Sequence, residues 1–361
     1  MARILAAAAI LATMLPATAT AQTTQKLTAT KATDWGLVYN LPDLEVRVTL
    51  EAKRTVRRPG ELHNYAVKYL KSKPITETSE EWQLMSATIN TRPVVNPDER
   101  YSVQFKSGSQ VSMLLGADGT PLSVNDESYQ PAVKADPLPQ AKEAAPTILD
   151  LPVARQALTE EMMQSTSTAK RAELAAAKIY EIRQQRSDII SGNADAMPSD
   201  GAAMKLALDN LAAQEEALTA MFNGVTSEST EVMTFTFRPG TSDEKAIIAR
   251  ISELRGLVPS DDLSGAPVYI NYTVNSRGEL PLTDRGEERK FPKGGLAYRI
   301  PGEATVSISF DGRTLAKQRL EVPQLGVVYG LDPAIFTDKK APSYVHFDPV
   351  TGAIVETGTR K

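Results

Sequence analysis

Residues 172–190 read AELAAAKIYEIRQQRSDII, without a proline or glycine. Ala172, Ala175, Ile179, Ile182, Arg186 and Ile189 recur at alternating steps of three and four, which places them on one face of an α-helix. The stretch free of helix breakers extends back to about Ala154, predicting a first helix from Ala154 to Ile190, roughly 50 Å long at 1.5 Å per residue. Gly192 is placed to end it in a left-handed cap. Glu160 and Glu161 near its start, with Arg183 and Arg186 near its end, complement the helix dipole. A second helix opens near Ser199-Asp200, carries Met204, Leu208, Leu211, Leu218 and Phe222 on one stripe, and stops at Gly224. The loop between them, Gly192 to Pro198, is short, so the two should pack as an antiparallel αα-hairpin.

Outward from the hairpin, both flanks change period. On the amino-terminal side, Leu44, Val46, Val48 and Leu50 alternate with Glu45, Arg47, Thr49 and Glu51, the period of two of a half-buried strand. Tyr101, Val103 and Phe105 repeat it, and Asp118-Gly119 after Met113-Leu114-Leu115 supplies the positive φ of a hairpin turn. One short helix is expected between these strands, with Pro59 at its start and Leu62, Tyr65, Ala66, Tyr69 and Leu70 on one face. Residues 130–153 hold Pro131, Pro137, Pro139, Pro146 and Pro152 among several alanines, and read as an extended linker.

On the carboxyl-terminal side, Val232–Phe237, Val268–Val274, Thr305–Phe310, Arg313–Leu320 and Tyr344–Phe347 read as strands, with turns at Asp311-Gly312 and Asp348–Gly352. A helix is expected over 242–255: Thr241 and Glu244 form a capping box, Ile247, Ile248, Ile251 and Leu254 a buried stripe, and Gly256 a stop. Arg58-Pro59-Gly60 and Arg238-Pro239-Gly240 each follow an alternating strand, which suggests two related lobes with the hairpin inserted between them. The expected architecture is α+β: two β-rich lobes, each with a short helix, separated by the long hairpin. Its segments are 22–129 for the first lobe, 130–153 for the linker, 154–224 for the hairpin and 225–361 for the second lobe.

Residues 1–21 carry an export signal. Met1-Ala2-Arg3 precedes an apolar run from Ile4 to Leu15, and Ala19-Thr20-Ala21 before Gln22 fits the small-x-small pattern of signal peptidase cleavage. The run is far shorter than the ~20 residues that span a bilayer. The chain has no cysteine, which closes the lipoprotein route, thiol nucleophiles and Cys-ligated metal sites, and leaves stability to packed cores. With 42% hydrophobic and 23% charged residues it is globular in composition. Loss of Arg3 with the signal would take the formal charge from −4 to −5; no Lys/Arg-rich run suggests a nucleic-acid or anionic-membrane surface.

The two histidines, His63 and His346, have no polar partner at readable spacing and suit structural roles. Ser167-Thr168-Ala169-Lys170 matches the Ser-x-x-Lys nucleophile motif of penicillin-recognising enzymes, with Ser191-Gly192-Asn193 and Lys293-Gly294-Gly295 as loose companions. In the expected helix, however, Ser167 lies about a dozen residues from the start rather than at it. Asp195 to Asp200 imitates a calcium loop, but Ala194, Ala196 and Pro198 break its ligand spacing. Glu80-Glu81 and Asp261-Asp262 are generic carboxylate pairs. Tyr39, Tyr65, Tyr69, Tyr269, Tyr272 and Tyr298 could line a carbohydrate-binding face or fill cores. No catalytic, cofactor-binding or metal-ligating residue is nominated, and no cofactor is expected.

Three stretches carry a family likeness: Tyr39-Asn40-Leu41-Pro42 with Pro59-Gly60 and Tyr65–Leu70; Ala175-Ala176 through Ile179–Arg183 to Leu218–Phe222; and Tyr298–Gly302, Pro323–Gly326 and Phe347–Ala353. In these the chain resembles an exported Bacteroidetes family catalogued as domain of unknown function 4831. The resemblance implies a Gram-negative envelope location, periplasmic or outer-membrane-associated, and carries over no catalytic residue. The expected function is that of a non-enzymatic scaffold or interaction module with another envelope protein as partner. The alternative is a carbohydrate-binding or carbohydrate-cleaving envelope protein.

Overall fold

A computed structural model describes residues 23–27, 36–105, 111–132, 138–194, 201–336 and 342–359. Residues 1–21 and the calcium-like run Asp195–Asp200 lie outside them. The chain opens with strand β1 (Thr23–Lys26), followed by two long strands, β2 (Leu37–Arg58) and β3 (Ser79–Gln104). A 3-10 turn (His63–Tyr65) and helix α1 (Ala66–Leu70) join the long pair. Strands β4 (Met113–Leu115) and β5 (Pro121–Val124) come next, then helices α2 (Pro152–Gln156), α3 (Glu160–Gln164), α4 (Thr168–Ser191) and α5 (Gly201–Asn223). The remainder is strand: β6 (Val225–Phe237), β7 (Glu244–Ser252), β8 (Gly256–Pro259), β9 (Ala266–Ser276), β10 (Leu296–Phe310), β11 (Arg313–Leu331), β12 (Ser343–Phe347) and β13 (Ile354–Thr359).

Three antiparallel sheets result, ordered β1-β3-β2-β6, β11-β10-β9-β7-β8 and β13-β12-β5-β4. The alternation expected at Leu44–Leu50 is real and decides the main core. Leu44, Val46, Val48, Leu50 and Ala52 face Ile248, Val268, Ile270, Val306, Ile308 and Val322, so the first two sheets stack as a sandwich. Odd-numbered neighbours on β2, from Glu45 to Glu51, therefore point outward. A register shift between Asn40 and Pro42 changes which parity is buried. Before it, Tyr39 and Leu41 pack with Tyr101, Val103, Val124, Val345 and Phe347 in a second core beneath the third sheet. One long strand thus serves two cores.

The expected division into two sequence-local β lobes does not describe these sheets. β6, placed by the sequence in the second lobe, pairs with β2 from Val46↔Phe237 to Arg58↔Val225. β12 pairs with β5 of the first. The echo after Arg-Pro-Gly also stops at the tripeptide, because Gly60 leads to a helix and Gly240 to a strand.

Two helical expectations are corrected. Residues 244–252 form β7 between β8 and β9, not a helix. A register shift between Ile247 and Ala249 turns both Ile248 and Ala249 inward along with Ile251, which imitates helical spacing in a strand. Gly256, at φ +71°, makes the β7–β8 turn rather than a helix cap. The first long helix is also not continuous from Ala154. It breaks twice, and Thr159 and Ser167 start new helices by accepting hydrogen bonds from the backbone N–H groups of Met162 and Lys170. Hydroxyl side chains compete for backbone donors, which favours a start over a continuation. Gly192 does end α4 with φ +75°.

The linker region is extended at Lys142, which exchanges backbone hydrogen bonds with Thr230 on β6. A capping box between Thr147 and Asp150 and Pro152 at the first turn of α2 then start the helical segment. Helices α4 and α5 pack together over Leu62 and Ala66, burying Ala172, Ala175, Ile179, Ile182, Leu218 and Phe222. Gly60 permits the docking: a Cβ there would collide with the Met221 carbonyl. No helix among the described residues is long and apolar enough to cross a membrane.

Candidate functional site

His346 on β12 lies where the third sheet gathers its ionisable groups. Antiparallel pairing sets Glu356 of β13 directly opposite it and Ser123 of β5 on its other side. Three residues past Ser123, Asp126 turns back so that its Oδ2 lies 2.9 Å from His346 Nε2, while Glu356 Oε2 lies 3.3 Å from Nδ1. Tyr129 stacks on the imidazole at 3.9 Å between centroids, and Tyr344 packs at 4.8 Å. The Tyr344 hydroxyl donates to Glu356 Oε1 at 3.0 Å, a bond that raises its pKa. A neutral imidazole has one N–H, so only the protonated ring donates to both carboxylates. The Ser128 hydroxyl and then His346 hold the Asp126 carboxyl down at about 2.

Each ring nitrogen thus faces a carboxylate oxygen within hydrogen-bond distance. The chemistry of the cluster is fastening: one side chain ties β12 to β13 and to the segment after β5. The sequence shows His346 without a partner because Asp126 is 220 residues away. His63 is simpler, with Nδ1 2.8 Å from the Gly60 carbonyl at the turn before α1.

The Ser-x-x-Lys motif is corrected in place and gains nothing in chemistry. Ser167 does stand at a helix start, but its Oγ accepts from the Lys170 backbone N–H, and Lys170 Nζ pairs with Glu173 at 3.3 Å. The amine is thus not poised to take the serine proton. Ser191 and Asn193 sit at the other end of α4, about 35 Å away along 24 residues, so the companion motif cannot share a pocket with Ser167. Glu80 is clasped by Arg54 and Trp82, Glu81 by Arg57, and Asp262 by Arg255. Tyr39 and Tyr272 are fully buried, with the Tyr39 hydroxyl bonded to the Ala297 backbone. They fill cores and cannot stack on a glycan.

The two long helices border an open groove. A cleft of about 680 Å³ runs between them and the start of β6, lined by Thr147, Arg183, Arg186, Glu215 and Asn223. Arg183 Nε and Arg186 Nη1 reach the two oxygens of Glu215 at 2.7 and 2.5 Å. Burial pushes the Glu215 carboxyl up, but the two charge-assisted bonds outweigh it and hold it below the usual range. Burial along the pair is graded. Ala217, Leu218, Ala220 and Phe222 are enclosed near the sheet, whereas Ile190 and Leu206 toward the far end are 70% and 71% exposed.

Searches of curated proteins and of solved structures each returned no match. A family model, described as a domain of unknown function, matches residues 35–355. That span takes in β2 through β12 and both long helices, so the shared pattern is this architecture as a whole. The chain belongs to the DUF4831 family, a domain of unknown function.

Proposed function

We propose that the protein is a non-enzymatic interaction module of the cell envelope, exported by residues 1–21, and that α4 and α5 present the surface a partner protein covers. The burial gradient along the two helices carries the reading. Where α5 meets the sheet its apolar side chains are enclosed; farther out, Ile190 and Leu206 remain open to water. Each such side chain forgoes roughly 1.5–3 kcal/mol that burial would supply, and a helical face with open apolar positions suits docking into a partner's groove. Export is supported by the charged start, short apolar run and Ala19-Thr20-Ala21 of the sequence.

The test has two parts. Intact mass of protein from the native envelope should begin at Gln22; retention of Met1 would overturn export. In-cell crosslinking followed by purification should capture one envelope protein with the native chain and lose it with Ile190→Glu/Leu206→Glu, whose melting temperature should be unchanged. An identical set of crosslinked proteins for both chains would overturn the docking role.

A further inference from the structure

The outward face of the first sheet carries an unbalanced group of charges. Glu45 on β2 pairs in register with Arg92 on β3. Val46 pairs with Phe237 on the other side, which brings Arg238 alongside Glu45. Arg47 follows two residues on, on the same face. Three guanidinium groups from three segments therefore surround one carboxylate. Arg92 Nη2 lies 2.7 Å from Glu45 Oε1, Arg238 Nε 3.6 Å from Oε2, and Arg47 Nε 3.9 Å from Oε1. Glu45 is nearly covered, at 4% exposure. The arginine side chains are open to solvent to 47%, 76% and 39%.

Elsewhere on this face, Lys53 pairs with Glu228 at 2.8 Å and Arg57 with Glu81 at 3.0 Å. Asp43, farther back on β2, has Arg299 at 3.5 Å. At Glu45 one negative charge meets three positive ones. Among the described residues, it is the carboxylate recorded within ion-pair distance of any of the three. Arg47 Nε is shielded from solvent and makes no hydrogen bond. Each guanidinium has five N–H donors in a planar fork, and a single carboxylate cannot use those of three.

We propose that Arg47, Arg92 and Arg238 form a binding site for a phosphate or sulfate group, with Glu45 as the buried carboxylate that holds the arginines together. The planar fork of arginine matches two oxygens of such an oxyanion. Thr236 and Asn90, which flank Arg47 in register on β6 and β3, extend the polar floor of the site. Glu45 then has two opposing effects: it positions the guanidinium groups and competes for their charge. This site is independent of the helical docking surface.

Titration of the mature protein with sodium phosphate and sodium sulfate at constant ionic strength, read by calorimetry, tests the proposal. Saturable binding is expected, weakened at least about tenfold by Arg92→Gln or Arg238→Gln and tightened several-fold by Glu45→Gln. Arg238→Gln guards against misfolding, because that side chain is the most exposed of the three. A purely structural cluster would leave anion affinity at zero in every chain. A parallel arm with phosphatidylglycerol vesicles separates the sources. Binding to the inorganic ions alone places a soluble oxyanion in the site, and Arg92-dependent co-flotation places a lipid phosphate there. Absence of both responses, or binding that survives Arg92→Gln and Arg238→Gln together, would overturn the proposal.

Discussion

Asp126 is the residue on which the histidine cluster turns, because it carries the ion pair that reaches the His346 ring from the segment after β5. Hydrogen bonds from Ser128 and His346 lower its carboxyl to about 2, from an ordinary 3.8. A folded-state pKa below the unfolded one means the fold binds its proton less readily. The stabilisation is therefore present above about pH 4 and lost as pH falls from about 4 toward 2. Asp126→Asn should lower the urea midpoint near neutral pH, and the gap from the native chain should close through that acid window. A gap that stays constant with pH would assign the loss to packing instead. None of this was legible in the sequence. Spacing reveals partners a few residues apart, and here the partner is 220 residues away. Glu45 and Arg92 are 47 apart and meet only through strand register.

At the scale of elements, β7 is where pattern and structure part. A helix over 242–255 would put Leu254 on the buried stripe beside Ile251. The strand leaves Leu254 84% exposed in a turn and Ile251 8% exposed in the core. Leu254→Ala should therefore change stability by less than about 0.5 kcal/mol, while Ile251→Ala should cost about 2–5 kcal/mol, both by urea denaturation. Equal losses would favour the helix. Ser167 offers a second check. As the cap of α4, its change to alanine should cost about 1 kcal/mol, whereas inside a continuous helix the same change would be neutral or stabilising. Strict alternation made Leu44–Leu50 readable, and Gly192 was readable because a left-handed cap favours glycine. An inward bulge and two hydroxyl caps were not, since each replaces the local period with a contact made elsewhere.

Across the whole molecule, chain order and sheet order diverge. Consecutive strands are neighbours often enough that two sequence-local lobes were the natural expectation, yet β2 lies beside β6 and β5 beside β12. The main core draws Leu44, Val46, Val48 and Leu50 from one end of the chain and Val268, Ile270, Val306 and Ile308 from the other. Residues 22–129 alone would keep the β2–β3 pair but lose β6 and the entire facing sheet. Four fully buried side chains on β2 would then meet water, at roughly 1.5–3 kcal/mol each, against the 5–15 kcal/mol that holds a typical domain. This fragment, produced without the rest of the chain, should show collapsed amide dispersion by NMR and no cooperative melt. A dispersed spectrum with a sharp transition would instead restore an independent first lobe, with the later strands added to a core already complete. The covered state of Tyr39 and Leu41 argues for the first outcome, because the side chains that enclose them include Phe336, Val345 and Phe347 from the far end of the sequence.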